Sequence, residues 1–184
     1  MKGIVFTEFF EMVEQAHGYE MVDQLIMDND LPSGGIYTTI GTYDHREMVT
    51  LVVDLGKKTE TPVPTLLHGF GKYLFGTFEK GYPMFFKAAA NAFDFLESIE
   101  KYIHVEVKKL YPDAQLPRFE TQRIDDNTLE MIYYSDRSMA DFALGLIEKT
   151  FDHYKEKATI TRENLVENGS QVKFLIERIP DKRL

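Results

Sequence analysis

No cysteine occurs in the chain, so disulfides, thiol nucleophiles and cysteine-based zinc sites are excluded. Any metal must be held by histidine or carboxylate, or arrive inside a cofactor. Histidine itself is scarce. Of His17, His45, His68, His104 and His153, no two stand four residues apart, the spacing that puts two ligands on one helix face, and a bare zinc site is not expected. No apolar stretch approaches the roughly 18 residues of a membrane span. Basic residues are outnumbered, 21 Lys and Arg against 30 Asp and Glu, leaving a formal net charge of −9. That charge opposes binding to nucleic acid or to an anionic membrane, both of which demand a basic surface. The opening Met1-Lys2-Gly3-Ile4-Val5-Phe6-Thr7-Glu8 is too short and too quickly acidic for a signal peptide, so a cytoplasmic location is expected.

What remains suits one soluble domain, 1–184, since 184 residues can enclose their own core. Tryptophan is missing too, but the chain holds 14 Phe and 10 Tyr. They crowd between Phe70 and Phe95, where they either fill a core or line an unusually large apolar cavity.

From Ile4 to Met27 the apolar positions recur at helical spacing on both sides of Gly18, which predicts two helices meeting at the glycine. Asp44 is placed to cap a helix running to about Leu55, with Glu47 completing a capping box. Thr61 or Thr65, around Pro62 and Pro64, opens another helix through Phe78. After Gly81-Tyr82-Pro83 one long helix is expected from about Phe85 to Leu110. Thereafter the period changes to two: Phe119–Ile124, Leu129–Asp136, Ala158–Leu165 and Val172–Ile179 read as strands. Asp125-Asp126-Asn127 and Asn168-Gly169-Ser170 supply hairpin turns, and a helix from about Met139 to Lys157 interrupts the strands. Helices first and antiparallel strands later make an α+β domain.

Two places hold residues suited to chemistry. At 100° per residue along the long helix, Ala92, Leu96, Ile99, Ile103, Val107 and Leu110 form an apolar stripe and His104 falls on its border. It is either a half-exposed histidine at a helix edge or a metal ligand leaning into an apolar cavity as the neutral imidazole that iron favours. In the strand Leu129–Asp136, continued to Arg137, alternation puts Tyr133, Ser135 and Arg137 on one face behind Leu129 and Met131. They form either the polar end of an amphipathic strand or a clamp for carboxylates, gripped by a planar guanidinium and two hydroxyls.

His104 on a helix, Pro117 thirteen residues later and then Tyr133-x-Ser135-x-Arg137 together resemble the signature of the heme-nitric oxide/oxygen binding (H-NOX) family, bacterial stand-alone type. Met1-Lys2-Gly3-Ile4-Val5-Phe6, Lys108-Lys109-Leu110-Tyr111-Pro112 and Phe142-Ala143-Leu144-Gly145-Leu146 are similar to that family as well, and the likeness runs from residue 1 to about 180. It implies an N-terminal helical part, about 1–60, and an α/β part, about 61–180, that encloses heme b between them. It further implies that His104 is the axial iron ligand, that Tyr133, Ser135 and Arg137 hold the heme propionates, and that Pro117 packs on the porphyrin and distorts it. The gas pocket would be lined by Ile4, Leu74, Phe78, Phe142 and Leu146, although the stretch between Phe86 and His104 is two residues longer than in other members.

Two departures bear on ligand choice. Oxygen-binding members place tyrosine where this chain has Phe142, and Leu74 replaces its polar partner, so bound O₂ would find no hydrogen-bond donor while NO and CO lose little. The cysteine-rich zinc site of some relatives is impossible here. The resemblance implies a sensor, not an enzyme, that binds NO and CO, weakens its bond to His104 and signals to a separate histidine kinase or cyclic-di-GMP enzyme. The rival expectation is a heme enzyme such as a peroxidase or nitric oxide dioxygenase, which would want a distal acid–base group or donor.

Overall fold

The computed structural model describes residues 1–180. Helices α1 (Gly3–His17) and α2 (Tyr19–Met27) meet at Gly18, whose φ of 85° lies in the left-handed region that favours glycine. Asp44 caps α3 (His45–Thr59) by accepting the Arg46 N–H at 2.9 Å. Glu47, however, does not close a capping box. It is buried, and its Oε2 accepts the Ser33 hydroxyl and amide and the Tyr37 hydroxyl. A buried carboxylate needs donors, and the loop after Pro32 folds over α3 to supply them. Helix α4 (Val63–Gly81) follows Pro62 without a side-chain cap, so neither Thr61 nor Thr65 opens it.

The expected long helix is broken into pieces: α5 (Pro83–Ala88), α6 (Ala92–Ser98), a π-helical turn (Ile99–Ile103) and α7 (His104–Leu110). Asn91 starts α6 by accepting the Asp94 N–H at 3.0 Å. The tertiary reason lies in Phe86 and Phe95. Nine residues apart in one helix they would stand roughly 13 Å apart along the axis, yet their rings stack with centroids 4.7 Å apart. The chain turns back so that both join Phe75 in one aromatic cluster. In the π-helical turn the His104 N–H bonds to the Ile99 carbonyl, five residues back. This extra residue shifts the phase of everything that follows. The stripe expected from Ala92 therefore fails at its far end, where Leu110 is 63% exposed.

Strands β1 (Arg118–Arg123), β2 (Thr128–Tyr134), β3 (Lys157–Asn164) and β4 (Gln171–Ile179) form an antiparallel sheet in the order β1-β2-β4-β3. Alternation buries Leu129, Met131 and Tyr133 of β2 beside Val172, Phe174 and Ile176 of β4. That face packs on α6 and on α8 (Ala140–His153) through Ala92, Phe93, Ala143, Ile147 and Phe151. A second core unites α1, α2 and α3 with Leu67, Phe70 and Leu74 of α4. The two helices α4 and α8 cross almost backbone to backbone. A Cβ at Gly71 would stand 2.1 Å from the Phe142 carbonyl oxygen, and one at Gly145 2.2 Å from that of His68. Leu74 and Phe78 stand on α4, and Phe142 and Leu146 on α8, the two helices that this crossing joins.

Among the described residues no helix is long and apolar enough to cross a membrane, and no three His, Cys, Asp or Glu side chains gather as a metal site.

Candidate functional site

His104 opens α7 directly after the π-helical turn, and its side chain is 13% exposed. Its Nδ1 lies 3.1 Å from Glu100 Oε2. A carboxylate oxygen accepts, so Nδ1 carries the proton and Nε2 keeps its lone pair for a metal. Burial holds the imidazole below its ordinary pKa, against the opposing pull of Glu100, and favours the neutral ring.

From His104 an aromatic path leads to the second group of residues. The His104 ring lies 5.9 Å from that of Phe119, and Phe119 lies 5.7 Å from Tyr133, its partner across β1 and β2. Half-buried Pro117 sits immediately before β1 and two residues before Phe119.

Tyr133, Ser135 and Arg137 do gather, but not by strand alternation. β2 ends at Tyr134, and Arg137 belongs to a turn. Ser135 Oγ accepts the Arg137 N–H at 3.2 Å, the Ser135 carbonyl accepts the Ser138 N–H at 3.1 Å, and Ser138 takes a φ of 53°. This hydroxyl-stapled turn, which propensity along a strand does not reveal, redirects Arg137. The Tyr133 hydroxyl accepts the Met139 N–H at 3.1 Å and meets the Ser135 side chain, and burial raises its pKa, so it stays protonated with its own hydrogen free to donate. Tyr134 faces away: its hydroxyl donates to Glu120 at 2.9 Å and Arg118 lies over its ring.

Arg137 donates from Nη2 to the Gln115 carbonyl at 2.7 Å. Among the described residues it has no carboxylate partner, and burial lowers its pKa. A half-buried guanidinium without a counter-ion, beside two hydroxyls, is a donor set for an anion with several oxygens. A cleft of about 410 Å³ opens next to Gln115, between Met1, Tyr43, Asp44 and His45, but His104 does not line it.

Of the residues expected to line a gas pocket, Leu74 is fully buried in the N-terminal core, and Phe78 and Phe142 pack against it. The Phe142 ring lies 5.2 Å from that of Phe70. Phe78 and Leu146 also abut the Phe75, Phe86 and Phe95 cluster. Half-buried Ile4 lies in the first turn of α1, its N–H bonded to the Thr39 carbonyl at 3.0 Å. Glu100, Phe119 and Gln115 were not expected. Glu100 alone left a trace in the sequence, four residues before His104.

These residues fit a heme: a neutral imidazole with a free nitrogen, an aromatic wall, and an unpaired cation with hydroxyls at the far end. The unliganded Fe(II) H-NOX protein of K. algicida is 42% identical to the chain, covers 100% of both chains and superposes with a TM-score of 0.96. The H-NOX of Shewanella woodyi in the Fe(II)CO ligation state, bound to IWP-051, is 40% identical over 100% of this chain and 97% of that one, with a TM-score of 0.84. An H-NOX protein of S. oneidensis in the Fe(II)NO ligation state, 24% identical over 98% of this chain and 100% of that one, shares the fold at a TM-score of 0.90. No curated protein matches the chain. The model of the Haem-NO-binding family matches residues 2–162, and the chain belongs to that family.

Proposed function

We propose that the chain is a heme-based gas sensor that binds NO and CO, with little or no affinity for O₂, and signals to a separate histidine kinase or cyclic-di-GMP enzyme. The observation that carries this reading is the path from His104 through Phe119 and Tyr133 to Ser135 and Arg137, which has no carboxylate partner among the described residues. Bound heme b would supply an iron that can take an imidazole and a diatomic gas as ligands. In this reading the N-terminal helices, about residues 1–60, and the α/β part, about 61–180, hold it between them. His104 ligates through Nε2. Tyr133, Ser135 and Arg137 donate hydrogen bonds to the propionates, Arg137 by its planar fork. Pro117, rigid and placed before β1, would pack against the porphyrin.

Leu74, Phe78, Phe142, Leu146 and Ile4 line the gas side. All are hydrocarbon, so they exclude water and offer no donor to O₂ and no acid–base group for O–O cleavage. The hydrocarbon lining supports a sensor over an enzyme. Related H-NOX proteins are known in Fe(II), Fe(II)CO and Fe(II)NO states, which supports ferrous heme as the working form. Absorption spectra of the reduced protein under CO, NO and O₂ test the reading. The Soret band is expected to shift with CO and NO and to stay in place under air. A stable oxy spectrum would refute the gas preference, and absence of a Soret band after reconstitution would refute heme binding.

A further inference from the structure

Glu100 lies in the π-helical turn, with its side chain 37% exposed. Its Oε2 is shared by two N–H donors: His104 Nδ1 at 3.1 Å and the backbone amide of Phe119 at 3.1 Å. An exposed carboxylate four residues from a histidine is ordinarily a loose surface pair of little consequence. Here the second donor comes from another element. β1 is an edge strand, so an amide on its outer side has no strand to bond. Glu100 fills that place, and the sheet in return holds its carboxylate still. Phe119 also sets its ring against the imidazole at 5.9 Å, so one residue of β1 both walls His104 and anchors the acceptor of its Nδ1 proton.

We propose that Glu100 is a positioning residue that fixes the ring orientation and tautomer of His104 and strengthens the bond His104 makes to iron. The proposal rests on His104 being the axial ligand. A histidine that donates Nδ1–H to a fixed carboxylate becomes a more basic ligand at Nε2. Glu100 would thereby help hold His104 on a bound iron, and it couples the orientation of His104 to the edge of the sheet.

The test uses the heme-loaded ferrous protein and its iron–histidine stretching band in resonance Raman spectra. Glu100→Gln keeps the size of the side chain and an oxygen that can hold one N–H, but removes the charge. Glu100→Ala removes both bonds. The band is expected at lower wavenumber in Glu100→Gln than in the wild type, and lower still in Glu100→Ala. Heme loss in Glu100→Ala should be about tenfold faster, the low end of what loss of such a partner costs a metal site. The Phe119 amide should exchange with solvent faster in Glu100→Ala. A purely structural role would change amide exchange but leave the band of Glu100→Gln where it was. His104→Gly separates the two levels: a band unmoved in both Glu100 variants but absent in His104→Gly overturns the role of Glu100 alone, whereas a band that survives in His104→Gly overturns the axial assignment beneath it.

Discussion

Replacing Gly145 with alanine would place a methyl group 2.2 Å from the His68 carbonyl oxygen and 2.9 Å from the Lys72 amide nitrogen. Both are backbone atoms of α4, so no side chain can swing aside. Restoring ordinary contact at 3.4 Å requires α4 and α8 to part by about 1.2 Å. Such overpacking costs about 1–3 kcal/mol, and contact against backbone puts it at the upper end. Alanine returns up to about 1 kcal/mol through its better helix propensity. The net loss should be about 2 kcal/mol, which for a chain of this size lowers Tm by roughly 4–8 °C. Gly76 is the control. It lies in α4, the helix that Gly145 of α8 abuts, and a Cβ there would meet nothing within 4 Å. Gly76→Ala should therefore hold or raise Tm, by as much as the propensity gain alone. Thermal denaturation of both variants by circular dichroism, with and without heme, checks the pair. The parted helices carry Leu74, Phe78, Phe142 and Leu146, so Gly145→Ala should also change the CO association rate, and Gly76→Ala should not. A Gly145→Ala protein as stable as Gly76→Ala would refute the close crossing and, with it, the placement of the gas-side residues.

Arg137→Ala should release heme to an apo-globin scavenger roughly tenfold faster or more, since a charge-assisted hydrogen bond is worth about 1.5–3 kcal/mol. Tyr134→Ala should leave that rate near the wild-type value, because Tyr134 bonds to Glu120 on the opposite side of the sheet; equal rates for the two variants would count against the propionate clamp. Phe142→Tyr places a hydroxyl in a dry, hydrocarbon-lined position, where a hydrogen bond of about 1 kcal/mol slows O₂ release roughly fivefold. Leu74 is buried in the core that Phe142 packs against and carries no polar group for the new hydroxyl, so the effect should grow when Leu74→Asn is added. Flash photolysis under O₂ decides this, and unchanged O₂ and CO kinetics in both variants would show that Phe142 does not line the gas pocket.

The sequence by itself determined the elements whose signals are local. Gly18 separated two helices because only glycine takes a φ of 85° without penalty, Asp44 announced α3 through its own side chain, and the period-two runs gave all four strands within one or two residues. It also pointed to the family, because His104, Pro117 and Tyr133-x-Ser135-x-Arg137 resemble that family's signature, and the family model matches residues 2–162. What it could not supply depends on residues far apart in the chain. The helix expected from Phe85 to Leu110 is locally plausible, but the chain breaks where Asn91 caps a new helix and Phe86 stacks on Phe95. Glu47 belonged to a capping box until the loop around Ser33 and Tyr37 folded over it. Arg137 was carried onto a strand face by alternation, but a turn stapled by the Ser135 hydroxyl delivers it instead. A π-helical turn leaves no mark on composition, and the Phe119 amide that meets Glu100 becomes available only once β1 stands at the edge of a formed sheet. Local rules fix which segments are helix or strand, because each depends on a few neighbouring dihedrals. Which donor meets which acceptor across nineteen residues, from Glu100 to Phe119, is decided only when packing brings the segments together.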